Sequence, residues 1–312
     1  MGFDGKSAKV GMGEILHGDC AKILSDVPDK SVSLVITSPP YNIGKPYEKE
    51  RMTLEEYAEW LRPIVTSLTS KVKPSGSICW QVGNYVKDGV VVPLDYIFYE
   101  MFTTAGMKLR NRIIWHFNFG LHAQQRFSGR YETLLWFTKS DSYRFNLDKV
   151  RVPQLYPGKR HPKGRANGGG QLSGNPLGKN PSDVWEFSAP EAFLRDALWN
   201  IPNVKSLHPE KTAHPCQFPS ELVERCVLAF TKPGDTVLDP FVGAGTSVIA
   251  AVKLGRRGIG IDKSKRYVNL ANKRIAALEA GTLEFRRSGT PIRQPRKGEK
   301  VATVPAEWKK RR

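Results

Sequence analysis

Four cysteines in 312 residues, Cys20, Cys79, Cys216 and Cys226, show no close pairing and no accompanying histidine pattern. Neither a disulfide framework nor a zinc site of the usual spacing is encoded, and reduced thiols are expected. No apolar run approaches the roughly 20 residues of a membrane span, and the first residues lack the apolar core of a secretory signal. Met1-Gly2 is followed by Lys6 where an N-myristoylation signal needs Ser or Thr. A soluble cytoplasmic protein without metal is the expectation. Acids are scarce, with 30 Asp and Glu against 48 Lys and Arg, a formal net charge of +18. That excess suits a polyanion, because each phosphate neutralised releases counterions. Part of it crowds the last stretch, from Arg286 and Arg287 to Lys309, Lys310, Arg311 and Arg312, where a solvated tail explains it equally well.

The length allows a full α/β core plus insertions. Leu34-Val35-Ile36-Thr37 is an apolar run without polar alternation, as in a strand buried on both faces, and it stops at Ser38-Pro39-Pro40-Tyr41. The two prolines fix their own φ and restrict the residues before them, so Ser38, the Pro39 carbonyl and the Tyr41 ring are presented with little freedom left to lose. Such a loop at a strand's C-terminal edge lies where open α/β sheets bind ligands, although Pro-Pro also makes plain turns. Far downstream, Asp235 to Ala251 reads as a strand, a Gly-rich turn and a helix. Gly243 and Gly245 there admit close approach to the backbone, and helix amides point at the same spot.

Together these stretches resemble the DNA amino-methyltransferases, whose (Ser/Asp/Asn)-Pro-Pro-(Tyr/Phe/Trp) and Phe-x-Gly-x-Gly loops flank one pocket. With the catalytic loop first and the Gly-rich loop last, the order is similar to the beta-class permutation, over roughly residues 13 to 280. The resemblance implies a Rossmann-like methyltransferase fold of class α/β, mostly parallel with helices on both faces. It also implies S-adenosylmethionine as cofactor and a flipped base in double-stranded DNA as substrate. Ser38, Pro39, Pro40 and Tyr41 would be catalytic, with Ser38 and the Pro39 carbonyl accepting from the amine and Tyr41 stacking on the extruded ring. Asp239, Pro240, Phe241, Gly243, Gly245 and Thr246 would line the cofactor. Asp262, closing Gly258-Ile259-Gly260-Ile261-Asp262, would accept from the ribose hydroxyls. Asp19 and Cys20 would lie beside the adenine, while capping the next helix is an equal reading of Asp19. Lys211, Thr212 and His214, in the His-Pro segment before the Gly-rich strand, would meet the methionine end.

The remaining chain alternates strand and helix, which makes a parallel-dominated sheet economical. Thr53-Leu54-Glu55-Glu56 is a capping box opening a helix whose Tyr57, Trp60, Leu61, Ile64 and Leu68 share a face. Lys73 to Gly76 reads as a turn before a strand at Ser77 to Gly83. Further strands are expected at Leu109 to His116 and Glu132 to Thr138, with helices at Asp95 to Thr104, Glu221 to Thr231 and Tyr267 to Leu278. Residues 151 to 180 hold Arg151, Lys159, Arg160, Lys163, Arg165 and Lys179 without one acid. That composition predicts a loop-rich insertion without a packed core, either a solvated loop or, by its place in the family, the target-recognition region. The boundaries expected are a flexible N-terminus 1–12, a catalytic half 13–140, a basic insertion 141–202, a cofactor half 203–280 and a basic tail 281–312.

Pro215-Cys216-Gln217 is also the nucleophile triplet of carbon-5 cytosine methyltransferases, but here it precedes the cofactor motif and leads into a helix. By the resemblance, Ser at the first loop position and the segment His214 to Pro219 favour cytosine N4 as target. Adenine N6 is close behind, since both bases offer the same kind of amine. An RNA methyltransferase and a non-catalytic nucleic-acid-binding protein are the competing functions. A homodimer could use the apolar surface near Tyr96 to Phe102.

Overall fold

Val32–Thr37 (β2) is buried at every position, as a strand covered on both faces must be. Around it the computed structural model, which describes residues 12–45, 48, 51–117, 122–154, 156–160, 170–185, 204 and 208–286, forms an eight-stranded sheet. From one edge to the other the strands are β1 (Gly13–His17), β10 (Arg257–Asp262), β9 (Thr236–Asp239), β2, β3 (Val72–Val82), β7 (Tyr131–Thr138), β6 (Lys108–His116) and β8 (Val184–Trp185). The run from β1 to β3 is parallel, β7 is antiparallel to β3 and β6, and β8 extends β6 in parallel. This is the Rossmann-like, mostly parallel architecture that the sequence predicts.

Helices α1 (Cys20–Ile23), α2 (Leu54–Lys71) and α3 (Leu94–Thr104) pack on one face, around Val35, Ile78, Trp80 and Phe137. On the other face, α4 (Ser220–Phe230) and α5 (Thr246–Lys253) cover Leu34, Ile36, Cys79 and Leu134, with α6 (Lys265–Glu279) beside α5 at the β1 edge. The capping box forms: Thr53 accepts from the Glu56 amide while the Glu56 carboxylate accepts from that of Thr53. On α3, Phe98 and Phe102 are buried while Tyr96 and Tyr99 are 71% and 45% exposed.

Three segments depart from expectation. Lys73 to Gly76 lies within β3: Val32 pairs with Val72 and Leu34 with Ser77, so the extra residues bulge out of the strand instead of turning before it. A hairpin of β4 (Asn84–Lys87) and β5 (Val90–Pro93) turns on Asp88-Gly89, whose φ values of 52° and 81° are both left-handed. The basic insertion does contribute core. Within residues 151 to 180 Val152 joins the core, with Val150 and Trp185 on either side of the stretch buried beside it against the α4 face, and short bridges join Val152 to Lys179 and Arg160 to Leu172. Among the described residues no helix is long and apolar enough to cross a membrane, and no cluster of His, Cys, Asp and Glu is arranged to hold a metal.

Candidate active site

β2 and β9 are parallel neighbours, with Leu34 opposite Val237 and Val35 opposite Leu238, so the loops that follow them emerge side by side. Asp239 fastens the two together. One carboxylate oxygen accepts from Thr37 Oγ1 at 2.6 Å and from the Phe241 amide at 3.0 Å, and the other accepts from Ser247 Oγ at 2.5 Å. The residue is 1% exposed, and burial pushes its acid up to about 6 although all three donors pull it down. Asp239 therefore spends its carboxylate on protein donors that tie the two loops together. Thr37 and Ser247, its partners, carry no motif signal of their own.

In the Pro-Pro loop Ser38 Oγ lies 2.8 Å from Tyr41 Oη, which is also 3.3 Å from Glu132 Oε2 and 3.4 Å from the Gln81 carbonyl. Tyr57, a member of the α2 core stripe, donates to the Pro40 carbonyl at 2.7 Å. Burial, and after it Glu132, raises the Tyr41 phenol well above its ordinary value, so it stays protonated. Pro39 is buried. The Tyr41 ring edge lies against Gly83, where an added Cβ would sit 3.2 Å from Tyr41 Cε2. Beyond the loop, the Asn42 side chain exchanges two hydrogen bonds with the Met52 backbone, at 2.7 and 2.9 Å.

The Gly-rich loop starts at buried Pro240 and half-buried Phe241, whose ring packs on Trp60 and Trp80. Gly243 has φ 48°, and a Cβ there would fall 2.8 Å from His214 Nε2, so only glycine lets the His-Pro loop lean on this turn. Gly245, φ 83°, caps α5. Thr246 is buried towards Arg274, which binds the Ala244 carbonyl at 2.5 Å; Thr246 thus faces the α6 side. Asp262 accepts from the Gly243 amide at 3.0 Å and from Ser264 at 2.7 Å, and burial raises its acid.

Asp19 stands at the end of β1 beside Asp262, because His17 pairs with Asp262 and Gly18 donates to the Asp262 carbonyl. It caps α1 through the Ala21 amide at 2.9 Å. Cys20 is buried in the core with its thiol pushed up to about 12, chiefly by burial. Lys211 donates to the His214 carbonyl at 2.9 Å, and Thr212 donates to Gln217 at 2.9 Å while accepting from the His214 amide. Both shape the His-Pro loop. His214 packs edge-on to Tyr267 at 4.4 Å, and burial pushes it down to about 4, leaving it neutral. Cys216 is exposed and free.

The basic candidates divide. Arg151 is locked between Asp148, at 2.6 Å, and the Gly178 carbonyl, at 2.9 Å, with its side chain 14% exposed, so it holds the insertion together. Lys179 pairs with Val152 through its backbone. Lys159 and Arg160 are exposed, whereas Lys163 and Arg165 lie outside the described residues. A separate hollow of about 440 Å³ on the α4 face, between Trp136, Tyr143, Phe145 and Phe230, is lined by neither loop.

Comparison with known proteins matches this arrangement. The family model described as DNA methylase (N6_N4_Mtase) covers residues 32–273. The chain is 48% identical over 261 residues to the Type II methyltransferase M.BglII of Bacillus subtilis, covering 83% of this chain and 68% of that protein. A DNA modification methylase of Thermus thermophilus, solved in complex with S-adenosyl-L-methionine, is 27% identical with TM-score 0.59, covering 86% of this chain and 97% of that one. The cytosine-N4-specific PvuII DNA methyltransferase shares the fold, at 21% identity and TM-score 0.64, covering 90% of this chain and 96% of that one. With the Pro-Pro and Gly-rich loops fastened side by side and a family match over most of its length, the chain belongs to the DNA methylase family of N4-cytosine and N6-adenine amino-methyltransferases.

Proposed function

We propose that this protein transfers a methyl group from S-adenosylmethionine to the exocyclic N4 amine of a cytosine extruded from duplex DNA, as the modification enzyme of a Type II restriction-modification system in the cytoplasm. The observation that carries the reading is the Asp239 bridge, which holds Thr37, next to Ser38, and Ser247, in α5, on one carboxylate. The choice of cytosine rests on Ser38 at the first loop position.

The cleft suits S-adenosylmethionine. Glycine at 243 lets the His-Pro loop pack directly on the Gly-rich turn, and the N-terminus of α5 follows directly. Asp262 and Asp19, at the ends of neighbouring strands, would hold the adenosine, and the His214 to Pro219 segment the methionine end. The cofactor supplies a sulfonium-bound methyl group that is already a strong donor. The amine of a base is a weak nucleophile because its lone pair is delocalised into the ring. Ser38 Oγ and the Pro39 carbonyl accept from its protons and favour a pyramidal nitrogen, so the protein's contribution is positioning and an acceptor held in place. The product's surplus proton passes to solvent. Lys159 and Arg160 of the insertion contact phosphates.

The test is mass spectrometry of nucleosides from duplex DNA incubated with the protein and labelled cofactor. N4-methylcytosine is expected, and Ser38→Ala should abolish it while cofactor affinity is unchanged. N6-methyladenine would overturn the choice of base, and an absence of label in DNA would overturn the reading.

A further inference from the structure

Behind the Pro-Pro loop sits a carboxylate that no motif marks. Glu132 Oε2, at the start of β7, lies 3.3 Å from Tyr41 Oη and accepts from Gln81 Nε2 at 2.5 Å. Tyr41 Oη in turn lies 2.8 Å from Ser38 Oγ and 3.4 Å from the Gln81 carbonyl.

The direction of donation along this chain follows from the groups themselves. A backbone carbonyl and an ionised carboxylate can only accept. Tyr41 has one proton, so that proton goes to Glu132 or to the Gln81 carbonyl, and the phenol oxygen is left as an acceptor. The 2.8 Å contact is then Ser38 donating to Tyr41. Both lone pairs of Ser38 Oγ remain for a donor arriving from the cleft, which is what an amine N–H is. The Gln81 amide agrees with an ionised Glu132. Turned round, it would aim its oxygen at the carboxylate; as placed, its Oε1 is buried with no hydrogen-bond partner among the described residues.

We propose that Glu132 is a positioning residue: an acceptor-only group behind Tyr41 that sets the polarity of the Tyr41–Ser38 contact, so that Ser38 offers lone pairs and not a proton to the substrate amine. The inference rests on the reading of Ser38 as an amine acceptor.

Glu132→Gln keeps the shape and introduces a donor. Once the Gln81 amide, which donates to the same oxygen in the wild type, turns to accept from it, the new amide donates to Tyr41, Tyr41 donates to Ser38, and the Ser38 proton is turned towards the substrate. The expected result is a fall in kcat of about 100-fold, within the range of a misplaced proton in catalysis, with cofactor and DNA dissociation constants unchanged. Glu132→Asp, still acceptor-only, should recover to within about 10-fold of wild type. In a Tyr41→Phe background, which keeps the ring and removes the link, Glu132→Gln should cause no further loss. Wild-type turnover in Glu132→Gln while Ser38→Ala is inactive would overturn this inference alone. So would an equal loss in the Tyr41→Phe background, an Asp variant as slow as the Gln variant, or a parallel fall in cofactor affinity. Wild-type turnover in Ser38→Ala would instead overturn the reading beneath it.

Discussion

Replacing Asp239 by Asn separates shape from charge at the junction of the two loops. The carboxylate is 1% exposed, and burial pushes its acid from 3.8 up to about 6. A difference of about two units corresponds to about 3 kcal/mol between folded and unfolded states. Because the folded value is the higher one, this stabilisation is fully present below about pH 4 and is lost as the pH rises through about 6. Asn has the same outline and no charge. Its oxygen can keep Thr37 and the Phe241 amide, and its nitrogen can donate to Ser247 once that hydroxyl rotates. Asp239→Asn is therefore expected to equal or exceed the wild type at pH 7, by no more than about 3 kcal/mol, and to lose that advantage between pH 6 and pH 4. Asp239→Ala leaves three donors without an acceptor in a sealed site, at about 1–3 kcal/mol each, and should be less stable than wild type at both pH values. Urea unfolding followed by tryptophan fluorescence at pH 7 and pH 4.5 measures this. An Asn-minus-wild-type difference that does not change with pH, or an Ala variant as stable as the Asn variant, would refute the reasoning.

Gly243→Ala places a methyl group 2.8 Å from His214 Nε2 at a left-handed backbone position. A loss of about 1–3 kcal/mol in stability and weaker cofactor binding by calorimetry are expected. Tyr57→Phe removes the donor to the Pro40 carbonyl, and should cost about 1 kcal/mol and lower kcat without changing cofactor affinity. Joint replacement of Lys159 and Arg160 by Ala should reduce the slope of log binding constant against log salt by about 0.9 for each phosphate no longer neutralised. Arg151→Ala should lower the melting temperature and leave that slope unchanged, since its charge is already paired with Asp148.

The parallel half of the sheet was legible because a strand covered on both faces is a largely apolar run between turn residues, as in β2, and because β9 leads straight into the Gly-rich turn. The Asp88-Gly89 hairpin carried a readable signal, a two-residue turn between valines, that the strand-helix alternation overshadowed. Lys73 to Gly76 misled because Pro-Ser-Gly is turn chemistry that a bulge uses equally. The two loops were readable from local spacing, but their supports were not. Thr37 and Asp239 are 202 residues apart, and Tyr41 and Glu132 are 91 apart; the first pair meets across neighbouring strands and the second across β3, so only the assembled sheet makes them partners. Arg151 differs from the other basic residues of its stretch through its ion pair with Asp148, three residues earlier and outside the acid-free run.

The first described strand and the last described helix meet. β1 pairs with β10, and Met12 and Leu278 both pack against one small apolar cluster around Val248, Val252 and Ile275. A short linker could splice these ends, and new ends could be cut in an exposed connection elsewhere, without moving any residue of the cleft. The order in which a gene spells its two signature loops is then a matter of where the ring of structure is opened, and a rewired protein should keep its activity.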